Sequence, residues 1–152
     1  MITRIFGRTL TEVSPSALAE HLHAAGIAVA PHFRGDDLGW TGGTLTLPGN
    51  GSPMQLERFL TVEDELRADL NNYAAELETM DYNPNHVMLM QHVIQTQQLF
   101  ALRRPLDHSD ESMLETLNTT VAQFLARQTD GVYQIDGDGW FNADGELLLP
   151  EY

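Results

Sequence analysis

The stretch QQLFALRRP, residues 97–105, decides the fold, because it either continues the apolar helix before it or begins a strand. Its apolar run is too short for hydrophobic periodicity to distinguish the two structures. The N-terminal stretch ITRIFGR, residues 2–8, alternates loosely and indicates a strand. Each stretch precedes a helical pattern that ends at a glycine, Gly131 after QQLFALRRP and Gly26 after ITRIFGR. We therefore predict a strand over residues 98–103.

Outward from this stretch, the two ends of the chain show the same order of local patterns. In residues 1–60 a strand and a helix capped by Ser14 are followed by a strand, the acidic turn RGDDLGW (34–40) and a further strand. The alternating stretch MQLERFL (54–60) predicts a strand beside it. In residues 98–152 the same order, with a helix capped by Ser109 or Asp110, leads through the turn DGDGW (136–140) to a last strand. Aspartate and glycine are favoured in such turns because both tolerate a positive φ angle. The sequence thus predicts two β-α-β-β-like units, the pseudo-halves 1–60 and 98–152.

The intervals within the two units differ, so their origin stays open. Fourteen positions separate Gly26 from Trp40, and nine separate Gly131 from Trp140. Duplication of one ancestral unit and independent use of common hairpin chemistry are both compatible with these intervals. Either origin leads to the same expectation, an α+β fold in which an antiparallel sheet has its helices packed on one face.

A helical insert, about residues 61–97, joins the two halves. Thr61 and Asp64 resemble a capping box and predict the start of a long helix. That helix would present an apolar stripe formed by Val62, Leu66, Leu70, Tyr73 and Leu77. A second, mostly apolar helix, HVMLMQHVIQT, follows Asn85, which we expect to cap it. With this insert the chain is predicted to form one domain spanning residues 1–152.

The composition restricts the classes of function. The chain has 22 acidic residues against 8 basic residues, all of them arginine, and a net charge of −14. Without lysine or cysteine, Schiff-base and thiolate chemistry are excluded. The charge predicts no binding to nucleic acid or anionic membranes, and it is compatible with a basic protein partner. The N-terminus lacks a signal-peptide pattern, and no apolar run approaches the roughly 20 residues of a membrane span, so we expect a cytoplasmic location.

The two acidic turns contain the first candidate ligand positions. Asp36 and Asp37 would meet Asp136 and Asp138 if both turns lay at one end of the sheet, and clustered carboxylates suit a hard cation. However, DGDGWFNADGE places Trp140 at the third liganding position of an EF-hand-like loop. We interpret these aspartates as turn residues. Trp40 and Trp140 are expected to begin hairpin strands and to pack where the sheet meets a helix.

His32, Arg103 and Arg104 are the remaining candidates. His32 is either a lone ligand or base, or a half-buried structural histidine, and we favour the second interpretation. Arg103 and Arg104 are the one basic pair of an acidic chain, and on a strand one side chain would face each side of the sheet. We expect internal salt bridges rather than an anionic ligand. No nucleophile, phosphate-loop or metal-ligand spacing occurs, so no catalytic, cofactor or metal site is predicted.

The absence of a catalytic constellation favours a non-enzymatic protein. We predict a small acidic binding or regulatory module of a bacterial type, which engages another protein, either a basic partner or a second copy of itself. The alternative is a metal-dependent enzyme. The predicted β-α-β-β-β succession, followed by a related unit, resembles in topology the vicinal oxygen chelate proteins. That resemblance implies a metal between paired modules, and the nearest residues of the right type are His32, Glu57, Gln98 and Gln134.

Overall fold

The structure, a computed structural model, describes residues 2–49, 51–108 and 110–151. Within these residues the fold is α+β, with four helices and one eight-stranded antiparallel sheet. In chain order the elements are β1 (Ile2–Gly7), α1 (Pro15–Ala24), β2 (Ala30–Asp36), β3 (Gly39–Thr46), β4 (Met54–Leu60), α2 (Arg67–Glu78), α3 (His86–Ile94), β5 (Gln98–Arg103), α4 (Glu111–Gln128), β6 (Gly131–Ile135), β7 (Gly139–Phe141) and β8 (Leu147–Pro150).

The strand predicted over 98–103 is confirmed, and it lies near the middle of the sheet. The strand order is β2-β3-β4-β5-β1-β6-β7-β8, so β5 pairs with β4 on one side and with β1 on the other. Its first five residues are buried, and only Arg103 is exposed. A strand covered on both faces carries apolar residues at consecutive positions. This burial explains why the sequence of β5 shows no alternation.

Helices cover both faces of the sheet, so the prediction of helices on one face is wrong. Neighbouring residues of β1 belong to different apolar clusters: Ile5 packs with residues of α1 and α4, whereas Phe6 packs with residues of α2 and α3. Because successive side chains of a strand point to opposite faces, the central strands are apolar on both sides. The helical insert buries the second face.

The predicted pair of similar halves is not shown by the strand pairing. A strand, a helix and three strands do occur twice along the chain, beginning at β1 and at β5. However, the strands β2-β3-β4 join the centre of the sheet through their last strand, and β6-β7-β8 join it through their first. Exchanging the two halves therefore does not reproduce the observed order of strands.

The insert begins with turns rather than with a helix. The Thr61 hydroxyl donates a hydrogen bond to the Thr96 carbonyl (3.0 Å), and the Asp64 carboxylate accepts one from the Leu60 amide (2.7 Å). These side chains therefore do not form a capping box, and α2 starts only at Arg67. Val62 is 82% exposed and lies outside the apolar stripe. The stripe itself is buried at Leu66, Leu70 and Leu77.

Other predicted helix ends are partly confirmed. Ser14 caps α1 by accepting a hydrogen bond from the Ala17 amide (3.1 Å). Asp110 caps α4 in the same way through the Met113 amide, and the alternative cap, Ser109, lies outside the described residues. Asn85 precedes α3 but does not cap it with its side chain, which instead donates to the Leu148 carbonyl (2.7 Å).

Candidate functional site

The first acidic turn is fixed by Trp40 at the second position of β3. The indole is buried, and its Nε1 donates a hydrogen bond to the Val13 carbonyl (2.7 Å). Its ring contacts Phe33 and Phe100, with centroid distances of 5.2 and 5.6 Å. Trp40 thus joins the edge hairpin to the apolar cluster under α1 and α4.

Trp140 occupies the same position of β7 but lies on the opposite face of the sheet. Its ring centroid is 5.0 Å from that of Phe6 and 6.5 Å from that of Tyr73 in α2. It belongs to the cluster under α2 and α3. Both tryptophans therefore begin hairpin strands and pack inside a cluster between sheet and helices, as predicted, but they are not equivalent positions of one layer.

The aspartates of the two turns lie at opposite ends of the sheet. The tip of the β2-β3 hairpin, with Asp36 and Asp37, lies beyond the Gln98 end of β5, whereas the β6-β7 tip, with Asp138, lies beyond the Arg103 end. The proposed gathering of these carboxylates at one end is therefore wrong. The Asp36 carboxylate accepts a hydrogen bond from the Leu38 amide (2.9 Å), which is a turn contact. Among the described residues, no group of three or more His, Asp or Glu side chains is placed to hold a metal.

Arg58 of β4 contacts the first acidic turn, and it was not singled out from the sequence. It is 8% exposed, and it donates hydrogen bonds to Gln98 Oε1 (2.9 Å) and to the carbonyls of Leu38 (3.2 Å) and Trp40 (3.0 Å). Burial lowers the pKa of Arg58, and the charges of Glu12, Asp36 and Asp64 oppose this shift. In the sequence, only its position in the alternating strand 54–60, next to Glu57, pointed to a structural role for Arg58.

The predicted site residues on the remaining strands have separate environments. His32 is exposed on the edge strand β2, not half-buried as expected. Arg103 is paired with Glu57 (3.4 Å) and Arg104 with Glu111 of α4 (3.3 Å). Each arginine thus contacts a carboxylate of this chain.

The four residues named for a chelating centre do not share one environment. His32 is on β2, Glu57 pairs with Arg103, and Gln98 bonds Arg58 and two backbone carbonyls near the start of α1. Gln134 bonds Arg4, Asp136 and Glu151 at the other end of the sheet. The observed contacts of Glu57, Gln98 and Gln134 are hydrogen bonds and ion pairs with residues of the sheet and its loops.

A cleft with a partly polar lining lies between α2 and the central strands. It has a volume of about 410 Å³. Leu99, Ala101 and Phe59 contribute apolar surface, Arg4 and Arg103 contribute positive charge from the sheet, and α2 contributes carboxylates from above. Of the residues singled out from the sequence as candidate site positions, only Arg103 lines this cleft.

Arg4 lines the cleft and also binds the second acidic turn. Its Nη1 donates to Asp136 Oδ1 (2.6 Å) and Gln134 Oε1 (3.0 Å), and its guanidinium carbon lies 5.5 Å from the Tyr73 ring centre. Burial alone would raise the pKa of Asp136, but the hydrogen bonds from Arg4 and Gln134 outweigh it and leave that pKa lowered. Burial raises the pKa of Tyr73, and Arg4 opposes this shift. Each acidic turn is therefore bound by one arginine of a neighbouring strand.

Comparison with known proteins adds no relative. The chain matches no protein-family model, and no curated protein or solved structure is significantly similar to it. None of the helices in the described parts of the chain has the length and apolarity that crossing a membrane requires.

Proposed function

We propose that this protein is a non-enzymatic binding protein that engages a basic protein partner through the outer face of α3. The supporting observation is that α3 exposes large apolar side chains, with Val87 51%, Met88 43% and Ile94 49% exposed. Within the described residues the other helices have no large apolar side chain exposed to this degree. Apolar surface of this kind favours protein binding.

The exposed apolar residues of α3 lie on one face of the helix. Val87, Gln91 and Ile94 follow the i, i+4, i+7 pattern of a helix face, and Met88 lies beside them. Residues 83–102 contain no aspartate, glutamate, lysine or arginine. A methionine in such a surface can adapt its shape to a partner. The outer face of α3 is therefore an uncharged, deformable patch.

The surroundings of this patch determine the chemistry of the partner. The insert 61–97 contains seven acidic residues and a single arginine, Arg67. The acidic residues of α2 and its flanking turns that are exposed are Glu63, Asp64, Glu65, Asp69, Glu76, Glu78 and Asp81. Charge complementarity therefore favours a partner that presents apolar side chains beside lysine or arginine. A second copy, also carrying a charge of −14, would be repelled.

A synthetic amphipathic helix of leucine and lysine, about 18 residues long, is the probe that tests this proposal. Its affinity for the protein is measured by calorimetry, next to a leucine and glutamate helix of the same pattern. We expect only the lysine helix to bind, with an affinity that falls as salt rises. The double substitution Val87→Gln and Ile94→Gln should weaken binding at least tenfold.

The matched control is Leu106→Gln, because Leu106 is 95% exposed but lies in the loop after β5. This variant should bind the lysine helix as the unsubstituted protein does. Equal binding by the α3 variant, or no binding of the lysine helix at low salt, would refute the proposal. Sedimentation of the protein alone as a dimer that the α3 substitutions dissociate would assign the patch to a second copy instead.

A further inference from the structure

Two arginines of the sheet, Arg4 of β1 and Arg103 of β5, line the cleft under α2. Arg4 pairs with Ala101 across β1 and β5, and Arg103 is two residues beyond Ala101, so both side chains project from the same face of the sheet. Diagonal neighbours of this kind are about 7–8 Å apart at their Cα atoms. Within the described residues, the Arg4 side chain donates its hydrogen bonds from Nη1 and the Arg103 side chain donates from Nε, while the Arg4 guanidinium also lies over the Tyr73 ring. Donors of both guanidinium groups are therefore available to a molecule in the cleft.

The opposite wall of the cleft is a polar stripe of α2. Asp69, Asn72, Tyr73 and Glu76 follow the spacing of one helix face, and all four line the cleft. Asp69, Asn72 and Glu76 are exposed, and Tyr73 is half-buried between them and Arg4. The wall therefore presents two carboxylates and an aromatic ring to the arginines of the sheet.

These opposite charges do not form ion pairs with each other. Arg4 pairs with Asp136 and Arg103 with Glu57, both at the sheet, so no ion pair within the described residues joins either arginine to the α2 carboxylates. The cleft thus holds cationic donors on one side and anionic acceptors on the other, with apolar surface from Leu99 and Phe59 between them. Its volume of about 410 Å³ lies within the range of small-molecule sites.

We propose that this cleft binds a zwitterion with an apolar body, of the size of an amino acid or a dipeptide. The carboxylate of the ligand accepts hydrogen bonds from Arg103 and Arg4, and its ammonium group donates to Glu76 and Asp69. The apolar body packs on Tyr73 and Leu99. Charge-assisted hydrogen bonds of this kind are the strong ones in proteins. The ligand accepts them at its carboxylate and donates them at its ammonium group, and this fixes its orientation in the cleft.

The probes are L-phenylalanine and L-leucyl-L-leucine, each compared with its N-acetylated and its C-amidated form. Binding is measured by calorimetry on the full chain. We expect at least one zwitterion to bind, and blocking either charge to weaken its binding about tenfold or more. Arg103→Gln and Glu76→Gln should each have a similar effect, because each removes one charged partner of the ligand.

The matched controls are Arg127→Gln and Glu115→Gln, which change the same residue types on α4, on the other face of the sheet. They should leave the affinity unchanged. Circular dichroism shows whether each variant is folded, and exposed Arg103 is not needed for the core. No binding up to about 10 mM of either zwitterion, or equal binding of the blocked forms, would overturn the proposal. It does not depend on the α3 patch, so either proposal can fail alone.

Discussion

The two acidic turns of this protein are each held by one arginine from a neighbouring strand. Arg58 of β4 binds the backbone carbonyls of Leu38 and Trp40, whereas Arg4 of β1 binds the carboxylate of Asp136. A guanidinium group has five donors and stays charged, so it can bind several carbonyls in a partly buried place. The two turns of similar sequence are therefore held by different arginine contacts.

Removing the Arg58 guanidinium should destabilise the fold. Arg58→Met removes the donor of the partly buried Leu38 carbonyl, the buried Trp40 carbonyl and the Gln98 amide oxygen. Hydrogen bonds to a charged group contribute about 1.5–3 kcal/mol, so we expect the free energy of unfolding to fall by about 3 kcal/mol. Urea unfolding measures the change. Arg34→Met, at an exposed position of β2, is the control and should change it by less than about 0.5 kcal/mol.

At the scale of elements, the insert is attached to the sheet by a buried histidine as well as by apolar packing. His92 of α3 is 4% exposed, and its Nε2 donates a hydrogen bond to the Phe6 carbonyl of β1 (2.9 Å). The neighbouring residues Leu89 and Val93 are fully buried against the same face. A charged imidazole would be poorly solvated at this position, so burial lowers the pKa of His92.

This lowered pKa predicts a pH dependence of stability. An unfolded histidine has a pKa of about 6.5, so below that pH the unfolded chain takes up a proton that the folded protein resists. The contribution of His92 is complete above about pH 6.5 and is lost as the pH falls through the folded pKa, with a slope of at most about 1.4 kcal/mol per pH unit. Urea unfolding of His92→Gln between about pH 7 and 5 should lack this slope. His32→Gln, an exposed control, should retain it, and an unchanged slope in His92→Gln would contradict the prediction.

The sequence predicted individual strands and helices better than it predicted how they pack together. The strands over 54–60 and 98–103 and the helix capped by Ser14 were predicted from local patterns and turn residues. The start of α2 was predicted wrongly, because Asp64 and Thr61 bond to Leu60 and Thr96 instead of capping a helix. Short polar side chains that can bond the nearby backbone in several ways make such boundaries ambiguous.

At the scale of the whole molecule, the charge of −14 opposes folding through self-repulsion. Several of the arginines are already paired with carboxylates, at Asp136, Asp130, Glu57 and Glu111. Since 22 acidic residues face 8 arginines, repulsion between the remaining carboxylates dominates the long-range electrostatics.

Salt should therefore stabilise the protein. Raising the concentration of sodium chloride from about 0.01 M to about 0.15 M shortens the Debye length from about 30 Å to about 8 Å. We expect the free energy of unfolding, measured with uncharged urea as the denaturant, to rise by about 1 kcal/mol. A fall over the same range would show that the ion pairs outweigh the repulsion.

The cleft illustrates why a site is harder to predict than an element. The polar face of α2 is visible in the sequence, and Arg103 was singled out, but nothing local links Asp69 to Arg4, which is sixty-five positions earlier. Their common cleft exists because β1 lies next to β5 and because α2 covers that face.

The sequence by itself determined the α+β class, most of the elements and the excess of negative charge, because these depend on composition and on patterns within a few residues of one another. Only the tertiary structure decided that helices cover both faces, that the two tryptophans lie on opposite sides, and that the acidic turns lie at opposite ends of the sheet. The reason is physical. Strand order and the face that a helix covers are set by the burial of apolar surface between distant segments, and the fully apolar stretch of β5 has no alternation that reveals which faces need covering.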